Sequence, residues 1–416
     1  MFKKLFTHFK KDHLYRNSIY LMASTGVLAG FGFFFWIIAA REFPASEVGI
    51  ATTLISIAVL LANFALLGLN ISLNRFLPKS EERNEMISSS SILVIIAAIV
   101  SSIIFLSGVN VFSPKLSFLI SSPVYIITFI FFIVVLSLGA LQDSVYIAYR
   151  SAGNIFVKNS ILSVLKIIFI FLLVSFGAYG IFSSFTTAMA ISFFISTGYL
   201  IYRYKFRPKL HLNLNIVREL GKYSLGNYIA GFLYAAPTLI LPILILNKLH
   251  ASSAAYYYID SMILGILITI PLAVSQSLLT EGSHDEDLLT HHVRKAIKIT
   301  YLFLVPGVIA IFIFGGFVLQ FFGENYSEEA FRFLQIISLS SLFMPVVLFG
   351  NSILRIHHQI RSLIVLNLIG CIVVLGSSYA LISYGLNGVG FGWLIGQIII
   401  AVIFIVPNIK LILSHK

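Results

Sequence analysis

Residues Asn17–Asn70 read NSIYLMASTGVLAGFGFFFWIIAAREFPASEVGIATTLISIAVLLANFALLGLN, two long apolar runs separated by the short polar segment REFPASE. A helix needs about 20 mostly apolar residues to cross a bilayer, and the runs 17–40 and 48–70 reach that length. Inside lipid a helix satisfies all its backbone hydrogen bonds internally. The stretch therefore predicts a hairpin of two membrane-spanning helices.

The same pattern recurs along the whole chain. Of its 416 residues, 58% are hydrophobic and only 11% are charged, whereas soluble domains carry roughly 25% charged residues. We predict an all-α membrane protein with twelve transmembrane helices. The predicted spans are 17–40, 48–70, 88–108, 124–148, 157–176, 181–201, 223–246, 254–279, 296–322, 333–354, 362–382 and 388–411.

The basic leader before the first span resembles the start of a signal peptide. The first apolar run is longer than a signal-peptide core and eleven spans follow it, so we interpret it as a retained span. The single cysteine, Cys371, excludes an intrachain disulfide and any multi-cysteine metal site.

The net charge of +12 is concentrated on alternate loops. With the amino terminus inside, most of the 28 lysines and arginines, including Lys158, fall on cytoplasmic segments; the outer side carries Arg41, Lys115, Lys248 and Arg332. The positive-inside rule then predicts a protein of the cell (inner) membrane with both termini in the cytoplasm. A basic face of this kind favours anionic lipid head groups, not nucleic acid, as its partner.

The chain divides into two halves of six spans. We predict an N-terminal lobe at 1–201, a basic cytoplasmic linker at 202–222 and a C-terminal lobe at 223–416. A shift of 206 residues aligns the first span with the seventh, and a shift of 208 aligns S-x-G-x-x-G at 175–180 with the same motif at 383–388. Six is even, so the halves form a parallel repeat about an axis along the membrane normal, an arrangement that suggests alternating access.

Prolines interrupt spans only in the second half. Our hypothesis is that Pro237, Pro242 and Pro271 act as hinges, since proline removes a backbone hydrogen bond and kinks a helix. Membrane helices also tolerate proline without any such role.

Three motifs lie between Asn17 and Pro78: Asn17-Ser18 at the start of the first span, A-A-R-x-F-P-x-x-x-V-G from Ala39 to Gly49, and Gly68-Leu69 followed by R-F-L-P from Arg75 to Pro78. This stretch resembles the amino-terminal signature of Wzx-type polysaccharide flippases of the multidrug/oligosaccharidyl-lipid/polysaccharide superfamily. The resemblance implies two lobes around a central cavity. It also implies movement of a polyprenyl-(pyro)phosphate-linked oligosaccharide to the outer leaflet by alternating access, for surface polysaccharide or glycoprotein biosynthesis.

Ionisable groups inside spans are expensive and are therefore candidates for function. Lys166 is the deepest, and we interpret it as a cation that binds phosphate or sugar in the cavity; a structural pair with Asp143 on the preceding span is the alternative. Asp260 is a candidate for binding a coupling cation or for simple contact with outer water.

Further candidates are polar or lie at the membrane faces. Guanidinium groups suit phosphate recognition, although anchoring at the interface is their commoner use. The cavity candidates of this kind are Arg41, Arg75, Asn17 and Asn227; those for a cytoplasmic entry ring are Arg150 and Arg355.

The sequence predicts no enzyme, cofactor or metal site, and leaves H⁺ or Na⁺ coupling open. Its predicted partners are the lipid-linked glycan, membrane lipids and other polysaccharide-assembly proteins. Two rivals remain: a cation-coupled exporter of the multidrug and toxin extrusion type, and a membrane glycan polymerase or glycosyltransferase. The longest outer loop, 109–123, has no carboxylate or histidine, which argues against the enzyme.

Overall fold

The computed structural model describes residues 13–284 and 288–413, and every regular element in these ranges is a helix. Twelve stretches of this part of the chain are long and apolar enough to cross a membrane, which confirms the predicted fold class. They are α1 (His13–Glu42), α2 (Ala45–Ala65), α3 (Arg83–Ser107), α4 (Pro123–Ala148), α5 (Ala152–Leu172), α6 (Gly177–Tyr204), α7 (Leu214–Lys248), α8 (Ala251–His284), α9 (Leu289–Gln320), α10 in two pieces (α10a, Glu324–Ser340; α10b, Met344–Ile356), α11 (Ile360–Ala380) and α12 (Gly385–Leu413).

The described residues form two compact units. Unit 1 comprises those within Met1–Phe43 and Thr53–Tyr228, and unit 2 those within Pro44–Thr52 and Ile229–Lys416. Six spans belong mainly to each unit. Two helices contribute to both, because the first residues of α2 belong to unit 2 and the part of α7 up to Tyr228 belongs to unit 1.

The predicted second span, 48–70, extends beyond the C-terminal end of the helix in the structure. α2 stops at Ala65 because Leu67 and Gly68 adopt positive φ angles of 48° and 78°, and a separate short helix, Leu69–Phe76, follows. Glycine suits the left-handed conformation. A Cβ on Gly68 would also lie 2.8 Å from Cβ of Tyr228, so this glycine allows the bend to pack closely on α7.

The short helix Leu69–Phe76 docks on the first part of α7 within unit 1. Ser72 Oγ donates to the carbonyl of Leu220 at 2.6 Å, and Tyr228 Oη donates to the carbonyl of Phe64 at 2.8 Å. The Gly68-Leu69 and R-F-L-P motifs therefore have a packing role. α7 begins at Leu214, so the second half of the predicted linker is helical.

The non-helical part of the linker, 205–213, lies along the start of α3. The backbone N–H of Lys209 donates to Ser88 Oγ and that of Asn213 donates to Ser89 Oγ, each at 3.0 Å. Ser88 and Ser89 of α3 thus accept hydrogen bonds from backbone N–H groups of segment 205–213, which is not helical and has no helical hydrogen bonds of its own. Glu85 adds a 3.3 Å ion pair to Lys209.

The V-G pair that ends the A-A-R-x-F-P-x-x-x-V-G motif is a close helix contact in unit 2. Val48 is fully buried, and a Cβ on Gly49 would lie 1.7 Å from the carbonyl oxygen of Ala251 at the start of α8. Small residues at helix contacts in membranes permit such approach. Gly49 therefore sets the packing of α2 on α8.

The 208-residue repeat is visible in local structure. A shift of 208 residues places the first and last residues of α5 on the first and last residues of α11. It also places Gly177 (φ 57°) on Gly385 (φ 76°). Cβ atoms on Gly180 and Gly388 would each lie 2.0 Å from a carbonyl oxygen of the preceding turn. The S-x-G-x-x-G motif therefore encodes the same turn twice.

Candidate functional site

The buried polar groups of unit 1 gather where α5 packs against α1 and α4. Asn17 Oδ1 accepts from the first helical N–H of α5, that of Ala152, at 3.0 Å. Further along, Asn159 Nδ2 donates to Ser24 Oγ at 2.8 Å. α1 and α5 are thus held together by side-chain hydrogen bonds of the kind that tie membrane helices.

Asn17, predicted as a cavity residue, is positioned here as a cap for α5. The first N–H groups of a helix have no partner within the helix, so an oxygen supplied from outside stabilises its start. The contact accounts for the Asn17-Ser18 motif without a substrate. A role of Asn17 toward substrate stays a prediction.

We expect Asn17→Ala to lower stability by about 1 kcal/mol, the usual cost of a lost helix cap, and to leave transport per folded molecule unchanged. Thermal unfolding of the purified protein and a transport assay normalised to folded protein measure the two effects. Asn17→Asp keeps an acceptor oxygen and is the control. Loss of transport by a stable Asn17→Ala protein would instead indicate that Asn17 acts on the substrate.

The expected alternative pair of Lys166 with Asp143 is wrong, because Asp143 pairs with Lys158. The Lys158 Nζ lies 2.5 Å from Asp143 Oδ1 and donates to the Gly139 carbonyl at 2.9 Å. The Lys158 side chain is 1% exposed and that of Asp143 31%. The assignment of Lys158 to a solvated cytoplasmic segment is also wrong, since α5 begins at Ala152 and buries it.

Lys166 has no anionic partner among the residues that the structure describes. It is 4% exposed, and its Nζ lies 5.6 Å from the centre of the Phe35 ring on α1. A Cβ on Gly32 would be 3.8 Å from the same Nζ, so Gly32 leaves room beside the ammonium. No carboxylate within residues 13–284 and 288–413 forms an ion pair with it. The cation–π contact offsets only part of the cost of burying an ammonium.

The second hairpin of the repeat folds without these charges. At the positions 208 residues on, Asn351 replaces Asp143, Leu366 replaces Lys158 and Val374 replaces Lys166. Asn351 pairs with Asn367, whose Nδ2 donates to Asn351 Oδ1 at 2.9 Å. The second hairpin therefore forms without the two lysines, and a functional role of Lys166 stays a prediction.

Asp260 of α8 is a buried ionisable residue of unit 2, as Lys166 is of unit 1. Its side chain is 0% exposed, and neither carboxylate oxygen has a hydrogen-bond partner among the described residues. A buried carboxylate without donors is costly. Its role in coupling stays a prediction.

The arginine candidates differ in their exposure. Arg41 and Arg150 are exposed, and the Arg75 guanidinium carbon lies 4.2 Å from the centre of the Tyr223 ring. Arg355 is partly buried, and its Nε has no hydrogen-bond partner in the described chain. Asn227 is half-buried on α7. The entry ring of Arg150 and Arg355 stays a prediction.

The proposed hinge prolines lie inside continuous helices: Pro237 and Pro242 within α7, and Pro271 within α8. Pro345, by contrast, opens α10b just after α10 divides into two pieces. Hinge motion stays a hypothesis. Within the described ranges no group of three or more His, Cys, Asp or Glu is placed to hold a metal ion.

Residues 14–274, more than half of the chain, match the family model described as "Polysaccharide biosynthesis protein". The chain belongs to this polysaccharide biosynthesis family. A second family model, MatE, matches residues 240–382 of this family member. No curated protein matches its sequence.

Solved structures show the fold of this polysaccharide biosynthesis protein over nearly its full length. One is a MATE crystal structure in complex with MaL6 (15% identity, TM-score 0.65, 96% of each chain). Another is an inward-facing multidrug resistance MATE family transporter of the MOP superfamily (17%, 0.63, 95% of this chain and 94% of that one). A third is a MOP superfamily transporter from Pyrococcus furiosus, described as having a binding pocket of reverse polarity (15%, 0.61, 96% and 95%).

These matches confirm the predicted superfamily. The protein is a multi-pass membrane transporter of the multidrug/oligosaccharidyl-lipid/polysaccharide superfamily. The matched families are families of transporters, and the absence of enzymatic activity stays a prediction.

Proposed function

We propose that this transporter moves a polyprenyl-(pyro)phosphate-linked oligosaccharide from the cytoplasmic to the outer leaflet by alternating access. The observation that carries the proposal is Lys166, a buried ammonium with no carboxylate partner in the described chain. A phosphate of the substrate is the anion that would complete its environment. The family membership of residues 14–274 supports a glycan-related substrate.

The chemistry of the substrate explains why such a cation is useful. A charged pyrophosphate head cannot enter hydrocarbon alone, because a bare charge in the bilayer centre is expensive. A positioned ammonium, such as that of Lys166 beside the Phe35 ring, lowers that cost. With the cytoplasm negative, outward movement of an anion also gains roughly 2.3 kcal/mol per charge per 100 mV.

Coupling is assigned to Asp260 as part of the same proposal. A proton or a bound Na⁺ would compensate the charge of this buried carboxylate, which has no donor among the described residues, and that change in net charge is able to bias a conformational equilibrium. The membrane is the cell (inner) membrane, with both termini in the cytoplasm and the polysaccharide-assembly proteins as neighbours.

A cation-coupled small-molecule exporter is the second candidate, because the MatE model matches residues 240–382. Its substrates would be organic cations or neutral compounds. The Lys166 ammonium, which has no carboxylate partner among the described residues, repels organic cations and has no electrostatic attraction to neutral compounds. The site therefore favours the anionic lipid substrate.

The deciding experiment is flipping in proteoliposomes that contain the full chain and a radiolabelled polyprenyl-pyrophosphate oligosaccharide. An impermeant glycosidase digests only glycan in the outer leaflet. We expect the digestible fraction to rise from about half to nearly all of the substrate, with the lipid carrier still intact. Unchanged accessibility together with uptake of a dye such as ethidium would establish the exporter, and glycan released or extended without a second enzyme would establish an enzyme.

A further inference from the structure

An apolar groove of about 220 Å³ lies in unit 1 between α3, α4 and α6, with segment 205–213 as its fourth wall. α4 packs against both α3 and α6, so the groove runs where the three helices meet. Its lining is mainly apolar and includes Ile95 of α3, Leu141 of α4, Phe193 of α6 and Leu210 of the segment. The groove therefore suits a hydrocarbon chain.

The described residues that line the groove carry one charged side chain, that of Lys209. Its Nζ lies 3.3 Å from Oε2 of Glu85, so the ammonium already has a carboxylate partner. The lining thus offers little electrostatic attraction to an anion or to a cation. A neutral occupant is favoured over a lipid with a charged head group.

Gln142 of α4 supplies the one hydrogen-bonding feature of the described lining that is incomplete. Its side chain is 6% exposed, and its Nε2 donates to Thr197 Oγ1 at 2.9 Å. Thr197 Oγ1 in turn donates to the Phe193 carbonyl at 2.9 Å, so the hydroxyl is an acceptor toward the amide, and this order fixes the amide orientation. Gln142 Oε1 is left buried with no donor. Since a buried acceptor without a donor is costly, an occupant that carries a donor is favoured.

Two serines of the lining do not supply that donor. Ser91 Oγ donates to the Ile87 carbonyl at 2.8 Å. Ser88 Oγ accepts from the backbone N–H of Lys209 at 3.0 Å, which holds the segment against α3. The donor that completes Gln142 therefore has to come from the occupant of the groove.

The second unit lacks this arrangement. Gly350 stands 208 residues from Gln142, and Ile405 stands 208 residues from Thr197. A Cβ on Gly350 would lie 2.2 Å from Cδ1 of Phe404, so an aromatic ring of the protein packs where a side chain would otherwise extend. The buried amide and hydroxyl are thus particular to unit 1, and the repeated fold does not require them.

The depth of the groove matches the upper part of a lipid molecule. α4 has 26 residues and is about 39 Å long, close to the roughly 40 Å of a bilayer with its head groups. Gln142 lies six residues before Ala148, the last residue of α4, so it is about 9 Å from that end, near the boundary between head groups and hydrocarbon. Ile96 and Phe194, next to lining residues of α3 and α6, are exposed apolar side chains that continue toward lipid.

We infer that this groove binds a neutral lipid that carries a free hydroxyl group. The hydrocarbon chain lies between α3 and α6, and the hydroxyl donates to Gln142 Oε1. The lipid is taken up from the surrounding bilayer at the level of segment 205–213. The inference is independent of Lys166 and Asp260, and it is made for either transported substrate.

Photolabelling of the full-length protein in phosphatidylcholine nanodiscs tests the inference. The probe is hexadecanol with a diazirine in the middle of its chain, and the labelled peptides are mapped by mass spectrometry. The competitors are hexadecanol and its methyl ether, which has the same chain and no donor. We expect label on the groove helices α3, α4 and α6, and hexadecanol should compete at least tenfold better than the ether. In Gln142→Leu the two competitors should become equal.

A matched pair of tryptophan variants tests the location. Ile95→Trp fills the groove and should reduce labelling at least tenfold, whereas Ile99→Trp, one turn along α3 at an exposed position outside the lining, should not. Thermal unfolding of each variant verifies its fold. If Ile95→Trp is not recovered, the loss of competitor preference in Gln142→Leu decides on its own.

Three results would overturn the inference. Equal competition by hexadecanol and its ether in wild type would show that the groove accepts a chain without using a hydroxyl. Stronger competition by hexadecyl phosphate than by hexadecanol would show that a charged lipid is preferred. Labelling that persists in a folded Ile95→Trp protein would place the alcohol outside the groove.

Discussion

Lys166→Met is expected to reduce flipping of lipid-linked oligosaccharide at least about 30-fold, because loss of one partner of a buried charge contact costs 2 kcal/mol or more. Methionine keeps the length and apolar stem of lysine and removes the ammonium. Its folding should be normal, since Val374 occupies the equivalent place in the second hairpin and is buried there. Flipping in proteoliposomes and thermal unfolding of the same preparation measure the two effects.

Lys166→Arg is the matched control, because it keeps a cation beside Phe35 and should retain part of the activity. Gly32 gives the larger guanidinium some room. Full transport by a correctly folded Lys166→Met protein would show that the ammonium does not meet the substrate. A variant that loses both stability and transport would be compared with Lys166→Leu before any role is assigned.

Asp143→Ala is expected to destabilise the protein by about 3 to 5 kcal/mol, the cost of leaving a buried charge without its partner. The stranded group is the Lys158 ammonium, of which 1% is exposed. Lys158→Leu should cost less, because Asp143 is the more exposed partner and can recruit water. Thermal unfolding midpoints of the two single variants should therefore differ in that order.

The double variant Asp143→Asn/Lys158→Leu is expected to recover most of this loss, because it installs the residues that unit 2 has at the same positions, Asn351 and Leu366. Recovery of stability without recovery of transport would show that the ion pair serves transport. Recovery of both would show that the pair is a dispensable structural contact. No recovery of stability would contradict the equivalence of the two hairpins.

The hydrophobic pattern was sufficient to predict the twelve spans, because length and apolar composition alone decide whether a helix suits the bilayer. The S-x-G-x-x-G motif predicted the repeat of the α5–α6 turn for a steric reason: a side chain at Gly180 or Gly388 would overlap a carbonyl oxygen. The bend after Ala65 was missed, because Leu67 is an apolar residue that gives no sign of a positive φ.

The candidate site was predicted less well. The apolar run 157–176 identified Lys166 as lying deep in a span, but Lys158, at the predicted start of that span, was grouped with the cytoplasmic cations, whereas α5 begins five residues earlier, at Ala152. The spacing of Asn159 and Lys166, seven residues apart on one helix face, was a usable signal for the face that meets α1. The choice of Lys158 over Lys166 as the partner of Asp143 depends on helix rotation, which composition does not encode.

Each unit contains the end of a helix that lies mainly in the other unit, and this affects how the chain folds during synthesis. Pro44–Thr52 enters the membrane early, yet the contact of Gly49 with Ala251 requires α8 to have been made. Unit 1 likewise stays open until Tyr228 reaches the carbonyls of Asn63 and Phe64. The first half is not complete when its own six spans have emerged from the ribosome, so a nascent chain that stalls in the linker presents an unfinished surface to the quality-control machinery of the membrane.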